Sequence, residues 1–361
     1  MAGEKEKISV VLPNHLGDVV MATPALRSLR RGRPDAHIQA VLRRSLAPVL
    51  RGSPWLDGFA LHDVPAAGGR PLAKLRARLA LAAELRGTAL AIVLPNSFGS
   101  AVLALASGAR KRVGYARSGR DLLLSTAVPA PRESGRFVPT AMERYYLDLV
   151  RALGCPDTGT QTELFLEPAA EAQCDARFAA AGITRRSPLV CLAPGAGFGP
   201  SKLWPLPYVA EVARELRAEG AQVALVHGPG EEPLAAEITS RAGPGVASLG
   251  GADMDLSLLK SVLARAQLLI CNDAGARHVA AAFEVPTLVL MGPTAIEYTN
   301  LNLKRTKLLR EPVECAPCQL KVCPIDHRCM TRLLPARVLA EARAALSSGD
   351  WRGSLDLELG A

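Results

Sequence analysis

LLICNDAGARHVAAAFEVPTLVLMGPT, residues 268–294, is the stretch on which the fold turns. Its apolar run Leu268–Cys271 is short and stops at a polar turn, as a buried parallel strand does at the carboxyl edge of its sheet. Asn272-Asp273-Ala274-Gly275 is that turn. A helix is expected through Val279–Phe283, Glu284-Val285-Pro286 ends it, and Thr287–Met291 reads as a second strand. Such a unit presents the free backbone N–H groups of a helix start beside Gly275 and His278, where a phosphate group can sit. Taken alone, the stretch is equally an ordinary crossover in which Asp273 only caps a helix.

The same alternation extends outward. Upstream, strands are expected at Leu189–Ala193, Gln222–Val226 and Val246–Leu249, with helices at Leu206–Ala218, Pro233–Arg241 and Asp255–Ala266. Before these lies another series, with strands at Lys7–Leu12, His37–Leu42, Gly58–Leu61, Ala89–Leu94 and Arg112–Tyr115 and helices at Leu72–Leu85 and Thr140–Leu153. Residues 127–139 read as a surface loop, and Leu164–Pro168 as the last strand of this half. The pattern predicts an α/β protein of two Rossmann-like domains, residues 1–175 and 185–334, with a helix near 335–350 packing back on the first. Ligands are expected between the two, at the carboxyl ends of both sheets.

At 361 residues and 49% hydrophobic, the chain can bury two cores. Its net charge of +9 is a solvated basic surface or the mark of an anionic partner: nucleic acid, membrane surface or phosphorylated substrate. With 4% aromatic residues and no stacking module, no nucleic-acid partner is expected. The apolar run before Pro13 is too short for a signal peptide, and no run reaches the roughly 18–20 residues needed to span a bilayer. A cytoplasmic protein is expected, peripheral at most on the inner face of the membrane. Cys155, Cys174, Cys191 and Cys271 lie singly, whereas Cys315, Cys318, Cys323 and Cys329 cluster around His327. The cluster has enough ligands for zinc but not two Cys-x2-Cys pairs, so thiols without metal are expected.

Four loops carry candidate chemistry. Pro194–Pro205, PGAGFGPSKLWP, is glycine-rich and follows a strand, but matches neither the Walker A pattern nor the dinucleotide fingerprint. It carries one positive charge, Lys202, and suits a diphosphate. Pro13-Asn14-His15-Leu16-Gly17-Asp18 leaves the first strand and sets a carboxylate beside a glycine, to face a ligand or to cap a helix. Asp253-Met254-Asp255 has the spacing of a metal-binding pair, yet Asp255 also stands where a helix cap would. In Gly228-Pro229-Gly230-Glu231-Glu232 a glutamate can accept from ribose hydroxyls or simply favour a helix start.

In combination and order these pieces resemble glycosyltransferase family 9, the heptosyltransferases of the lipopolysaccharide inner core. The resemblance runs over about residues 8–340, on PNHLGDVVMATPAL from Pro13, the Gly195–Pro205 loop, NDAGARH from Asn272, Gly292-Pro293-Thr294 and the cysteine-rich tail. The glycine-rich loop and the tail are most similar to members that add heptose to heptose. It implies a GT-B fold, two Rossmann-like domains facing each other across a cleft, and inverting, metal-independent transfer from ADP-heptose to a lipid-linked oligosaccharide at the inner membrane surface, with no cofactor. By motif match, Asp18 is the general base and Lys202 faces the donor diphosphate. Asp273, Ala274, Gly275 and His278 surround the donor sugar and diphosphate. Gly195, Ala196, Met254 and Glu231 or Glu232 contact the nucleoside, while Asn14, His15 and Gly17 lie on the acceptor side. Three positions depart from the family: Ala274 for a hydroxyl residue, His15 for a tryptophan, and Arg277 as an added charge beside the diphosphate loop. Another nucleotide sugar, a catalytically silent binding protein and a metal-dependent nucleotide hydrolase are the alternatives.

Overall fold

In the computed structural model, residues 5–63, 71–348 and 351 are described. The chain divides between Glu163 and Leu164 into two units.

The first unit runs β1 (Lys7–Val11), α1 (Leu16–Met21), α2 (Thr23–Gly32), β2 (His37–Arg43), α3 (Ala47–Leu50), β3 (Gly58–His62), α4 (Pro71–Glu84), β4 (Leu90–Val93), α5 (Phe98–Ala106), β5 (Lys111–Tyr115), β6 (Thr126–Val128), the short hairpin β7 (Arg132–Glu133) and β8 (Arg136–Phe137), and α6 (Met142–Arg151). Its sheet has the order β3-β2-β1-β4-β5-β6, with every neighbouring pair parallel. The central strands are covered on both faces, which is why β4 reads as an unbroken apolar run and is buried throughout.

The second unit runs α7 (Pro168–Ala180), β9 (Leu189–Ala193), α8 (Leu206–Ala218), β10 (Gln222–Leu225), α9 (Glu232–Ala242), β11 (Val246–Ser248), α10 (Leu256–Ala264), β12 (Leu268–Asn272), α11 (Gly275–Ala282), β13 (Thr287–Leu290), β14 (Thr306–Leu309), α12 (Arg328–Thr331) and α13 (Pro335–Ser347). Its sheet repeats the topology, β11-β10-β9-β12-β13-β14, again parallel. The 268–294 stretch is β12-α11-β13, with Ile270 beside Leu288.

Three expectations are corrected. Leu164–Leu166 forms no strand, and α7 packs on α10, so the boundary falls before residue 164. Helix α13 does not belong with the first unit: its buried face, Val338, Leu339, Ala342 and Ala345, joins Trp204 and Leu216 in the second core. Residues 127–139 include the end of β6 and the β7–β8 hairpin. One strand has no counterpart among the expected ones: the edge strand β14 lies in the charged segment 304–310, where Thr306 and Leu308 are buried and Lys307 reaches Glu341 of α13 at 2.8 Å. Charges on an edge strand hide its period from a reading of hydrophobicity alone.

Candidate active site

In the second sheet the strand order reverses between β9 and β12, and the carboxyl edge from which their two loops leave is the place where open α/β sheets hold their ligands. Asn272, the last residue of β12, ties the two loops together. Its amide donates to Pro194 O at 2.5 Å and its carbonyl accepts from Trp204 N at 3.2 Å, fastening both ends of the glycine-rich loop. The Trp204 indole donates to Leu333 O at 2.8 Å.

So anchored, the loop carries Lys202 onto the turn after β12. The Lys202 ammonium lies 2.7 Å from Asp273 Oδ2 and 2.8 Å from Asp273 O. Arg277, one helical turn on, donates to Asp273 Oδ1 at 2.7 Å, and the Thr294 hydroxyl donates to Oδ2 at 2.6 Å. Burial by itself would raise the Asp273 carboxyl, but Arg277 and Lys202 outweigh it and hold the group well below the usual carboxylate range. His278 is buried beside this cluster; burial first, then Arg277, pushes its pKa down to about 3, so the imidazole is neutral. Arg277, expected as an added charge beside the diphosphate loop, also donates to Thr299 O at 3.0 Å. With two cations on one carboxylate, the Lys202–Asp273–Arg277 cluster is net positive. Helix α11 follows at Gly275, and its N-cap, Ala274, has no side-chain acceptor for the helix amides.

The nucleoside candidates separate. Glu231 accepts from Gly228 N at 2.9 Å and lies so close to Gly195 that any Cβ there would collide with its carboxylate. Glu232 accepts from Gly230 N at 2.7 Å within its own turn, so Glu231 is the one brought to the glycine-rich loop, where Gly195 and Ala196 are half-buried. Asp253 and Asp255 part company: Asp253 pairs with Arg177, and Asp255 caps α10 by accepting from Leu258 N at 2.9 Å. Met254 between them is buried. Among the described residues no three His, Cys, Asp or Glu side chains converge as a metal site. The thiols of Cys191 and Cys271 are pushed up to about 12 by burial.

In the first unit, the loop after β1 leaves at the equivalent reversal between β1 and β4. Asn14 and His15 are exposed, Gly17 and Asp18 half-buried. Asp18 is not the helix cap, a position held by His15; its carboxylate accepts the hydroxyl of Tyr146 on α6. Burial, then the charge of Asp18, raises the Tyr146 phenol well above its ordinary value and keeps it a donor. The neighbouring Tyr145 stacks on Tyr115 with ring centroids 4.0 Å apart and donates to Asn96 Oδ1 at 3.0 Å. Sequence reasoning missed Tyr146 and the part played by Thr294. A buried tyrosine on an amphipathic helix gives no sign of its partner, but Thr294 was legible as the hydroxyl ending Gly292-Pro293-Thr294.

The family model described as Glycosyltransferase family 9 (heptosyltransferase) matches residues 78–328. The chain belongs to glycosyltransferase family 9. It is a glycosyltransferase, and the two parallel sheets are those of a GT-B protein. Among relatives, lipopolysaccharide heptosyltransferase 2 of Salmonella typhimurium is 28% identical over 358 residues, which are 94% of this chain and 99% of that protein. Lipooligosaccharide heptosyltransferase 2 of Haemophilus ducreyi is 28% identical, covering 84% of this chain and 88% of the relative. The structure of Escherichia coli ADP-heptose lps heptosyltransferase II superposes with a TM-score of 0.77 at 25% identity, covering 94% of this chain and 98% of that one. A family 9 glycosyltransferase from Veillonella parvula shares the fold at a TM-score of 0.81 and 21% identity, covering 96% and 99%.

Proposed function

We propose that this family 9 enzyme transfers heptose from ADP-heptose to a heptose of the lipopolysaccharide inner core, by a single inverting displacement that needs no metal. The observation that carries this reading is the Lys202–Asp273–Arg277–Thr294 cluster beside the uncapped start of α11. Displacement at an anomeric carbon requires charge stabilisation for the departing diphosphate, and here an ammonium and a helix N-terminus supply it. In this reading Lys202 keeps a donor for the diphosphate while Asp273 holds it in place. Asp18, oriented by Tyr146, takes the proton from the acceptor hydroxyl. Glu231 accepts from the ribose and Met254 packs on the adenine. Asn14, His15 and Gly17 line the acceptor side. Metal independence is supported by the engagement of Asp253 with Arg177 and of Asp255 with the start of α10.

Among the described residues no helix is long and apolar enough to cross a membrane. A peripheral position at the inner membrane surface is part of the proposal, supported by the net charge of +9. Because Ala274 removes a hydroxyl beside the donor sugar, a different nucleotide sugar is the second reading. Both are tested by incubating the protein with a panel of nucleotide sugars and truncated core acceptors, with and without chelator. Product mass identifies the sugar and NMR the anomeric configuration. Turnover confined to ADP-heptose, inverted and indifferent to chelator, is expected; retention of configuration would end the single-displacement mechanism.

A further inference from the structure

The segment from Cys315 to Met330 lies outside the sheet and contributes nothing to the proposed donor contacts, yet it grips two of the loops that do. Ser201, buried in the glycine-rich loop, is held at all three of its polar atoms: its N donates to Lys321 O at 3.1 Å, its hydroxyl to Leu320 O at 2.6 Å, and its carbonyl accepts from His327 Nε2 at 2.6 Å. On the other side, Gln319 N donates to Pro293 O at 2.8 Å, and the sulfurs of Cys329 and Met330 occupy the space that a side chain at Gly292 would need. The residues next in sequence to these anchors are Lys202 and Thr294, the two that converge on Asp273 Oδ2.

We propose that residues 319–330 form a clasp that sets Lys202 and Thr294 on Asp273, with His327 as its positioning residue. Because Ser201 O can only accept, the His327 proton sits on Nε2. His327 is held at φ +59°, a left-handed conformation that costs an L-residue free energy and persists only where surrounding contacts enforce it. Fixing Ser201 at three points fixes where the Lys202 backbone sits, within reach of Asp273, whose O and Oδ2 then hold the ammonium in one place, which is what a departing diphosphate requires. The proposal rests on the reading of Lys202 as the diphosphate ligand.

The test uses the full chain and four variants: Lys202→Ala, His327→Ala, His327→Gln and the double variant of the two alanines, each with donor kcat/KM and a thermal melt. His327→Ala should lower donor kcat/KM about tenfold, the scale of one well-placed hydrogen bond. His327→Gln, whose amide can reproduce the Nε2 donor, should recover most of it. In the Lys202→Ala background the His327 change should cost less than about twofold further, because the two act through one group. If Lys202→Ala lowers kcat/KM while His327→Ala matches the parent, or if the losses multiply, the clasp is wrong and the donor site stands. Parental activity in Lys202→Ala ends both. Should His327→Ala fail to fold, Ser201→Ala, which loses only the bond to Leu320 O, takes its place with the same expectations.

Discussion

Two aspartates follow strands that border the reversal in the two sheets, Asp273 directly after β12 and Asp18 in the first turn of α1 after β1, and their surroundings are opposite. Asp273 is buried and saturated, with both carboxylate oxygens taken by Lys202, Arg277 and Thr294. Asp18 is half-buried, and the described contact of its side chain is with one phenol. A carboxylate so engaged is a poor proton acceptor, whereas Asp18, which accepts from a neutral phenol, is the one proposed to take the proton of the acceptor hydroxyl. The same topology has thus placed a scaffold carboxylate at one sheet edge and a candidate base at the other. The contrast can be broken in four ways.

Asp18→Asn should have the largest effect. General-base catalysis is worth about 10²–10⁴-fold, so kcat should fall by that much while calorimetric ADP binding stays near parental. Parental turnover would show that the Asp18–Tyr146 contact is only structural.

Removing the other carboxylate should damage the fold instead. Asp273→Asn leaves Arg277 and Lys202 without their buried counter-charge, a loss of about 3–5 kcal/mol on the scale of broken buried ion pairs. Urea denaturation measures it; a stability within about 0.5 kcal/mol of the parent would mean the cluster is far better solvated than its burial indicates.

Lys202→Ala should have a smaller effect than either, lowering donor kcat/KM by about tenfold to a hundredfold, as expected for a charge-assisted contact. Acceptor KM should hardly move. A change confined to acceptor KM would place the loop on the wrong substrate.

The smallest effect is one of pH. His278 is held at about 3 in the folded protein against an ordinary 6.5, so the unfolded chain binds the extra proton between these values. Stability is therefore full above about pH 6.5 and falls as the pH drops toward 3, with a slope of up to about 1.4 kcal/mol per pH unit from this group. Burial lowers His62 as well, which adds in the same direction. Asp273 adds its own loss only below the ordinary carboxylate range, at about pH 4. Denaturation from pH 6.5 to 4.5 should show a shallower slope in His278→Asn than in the parent, and an unchanged slope would mean that His278 is not held neutral.

Much of this was legible in the chain. The periods of 2 and 3.6 placed Leu189–Ala193 and Leu206–Ala218 to the residue, and most other elements within one or two, because both faces of a parallel strand are buried and its apolar run is unbroken. The reading failed where periodicity and partner diverge. Leu164–Leu166 is apolar enough for a strand but pairs with none. Helix α13 is amphipathic, and amphipathicity states that a face is buried without stating against what.

The sequence by itself therefore determined the α/β alternation, the loops that leave the strands, the family they belong to and the residue types available for chemistry. Tertiary structure decided which of those residues meet. Lys202 reaches Asp273 across 71 positions, and His327 reaches Ser201 across 126. It also turned Arg277 from an added charge into a partner of Asp273, chose Glu231 over Glu232 for Gly195, and separated Asp253 from Asp255. The physical reason is that local periodicity reports only whether a side chain is buried, whereas a hydrogen bond or ion pair depends on distance and angle to a group that the folded backbone alone brings near.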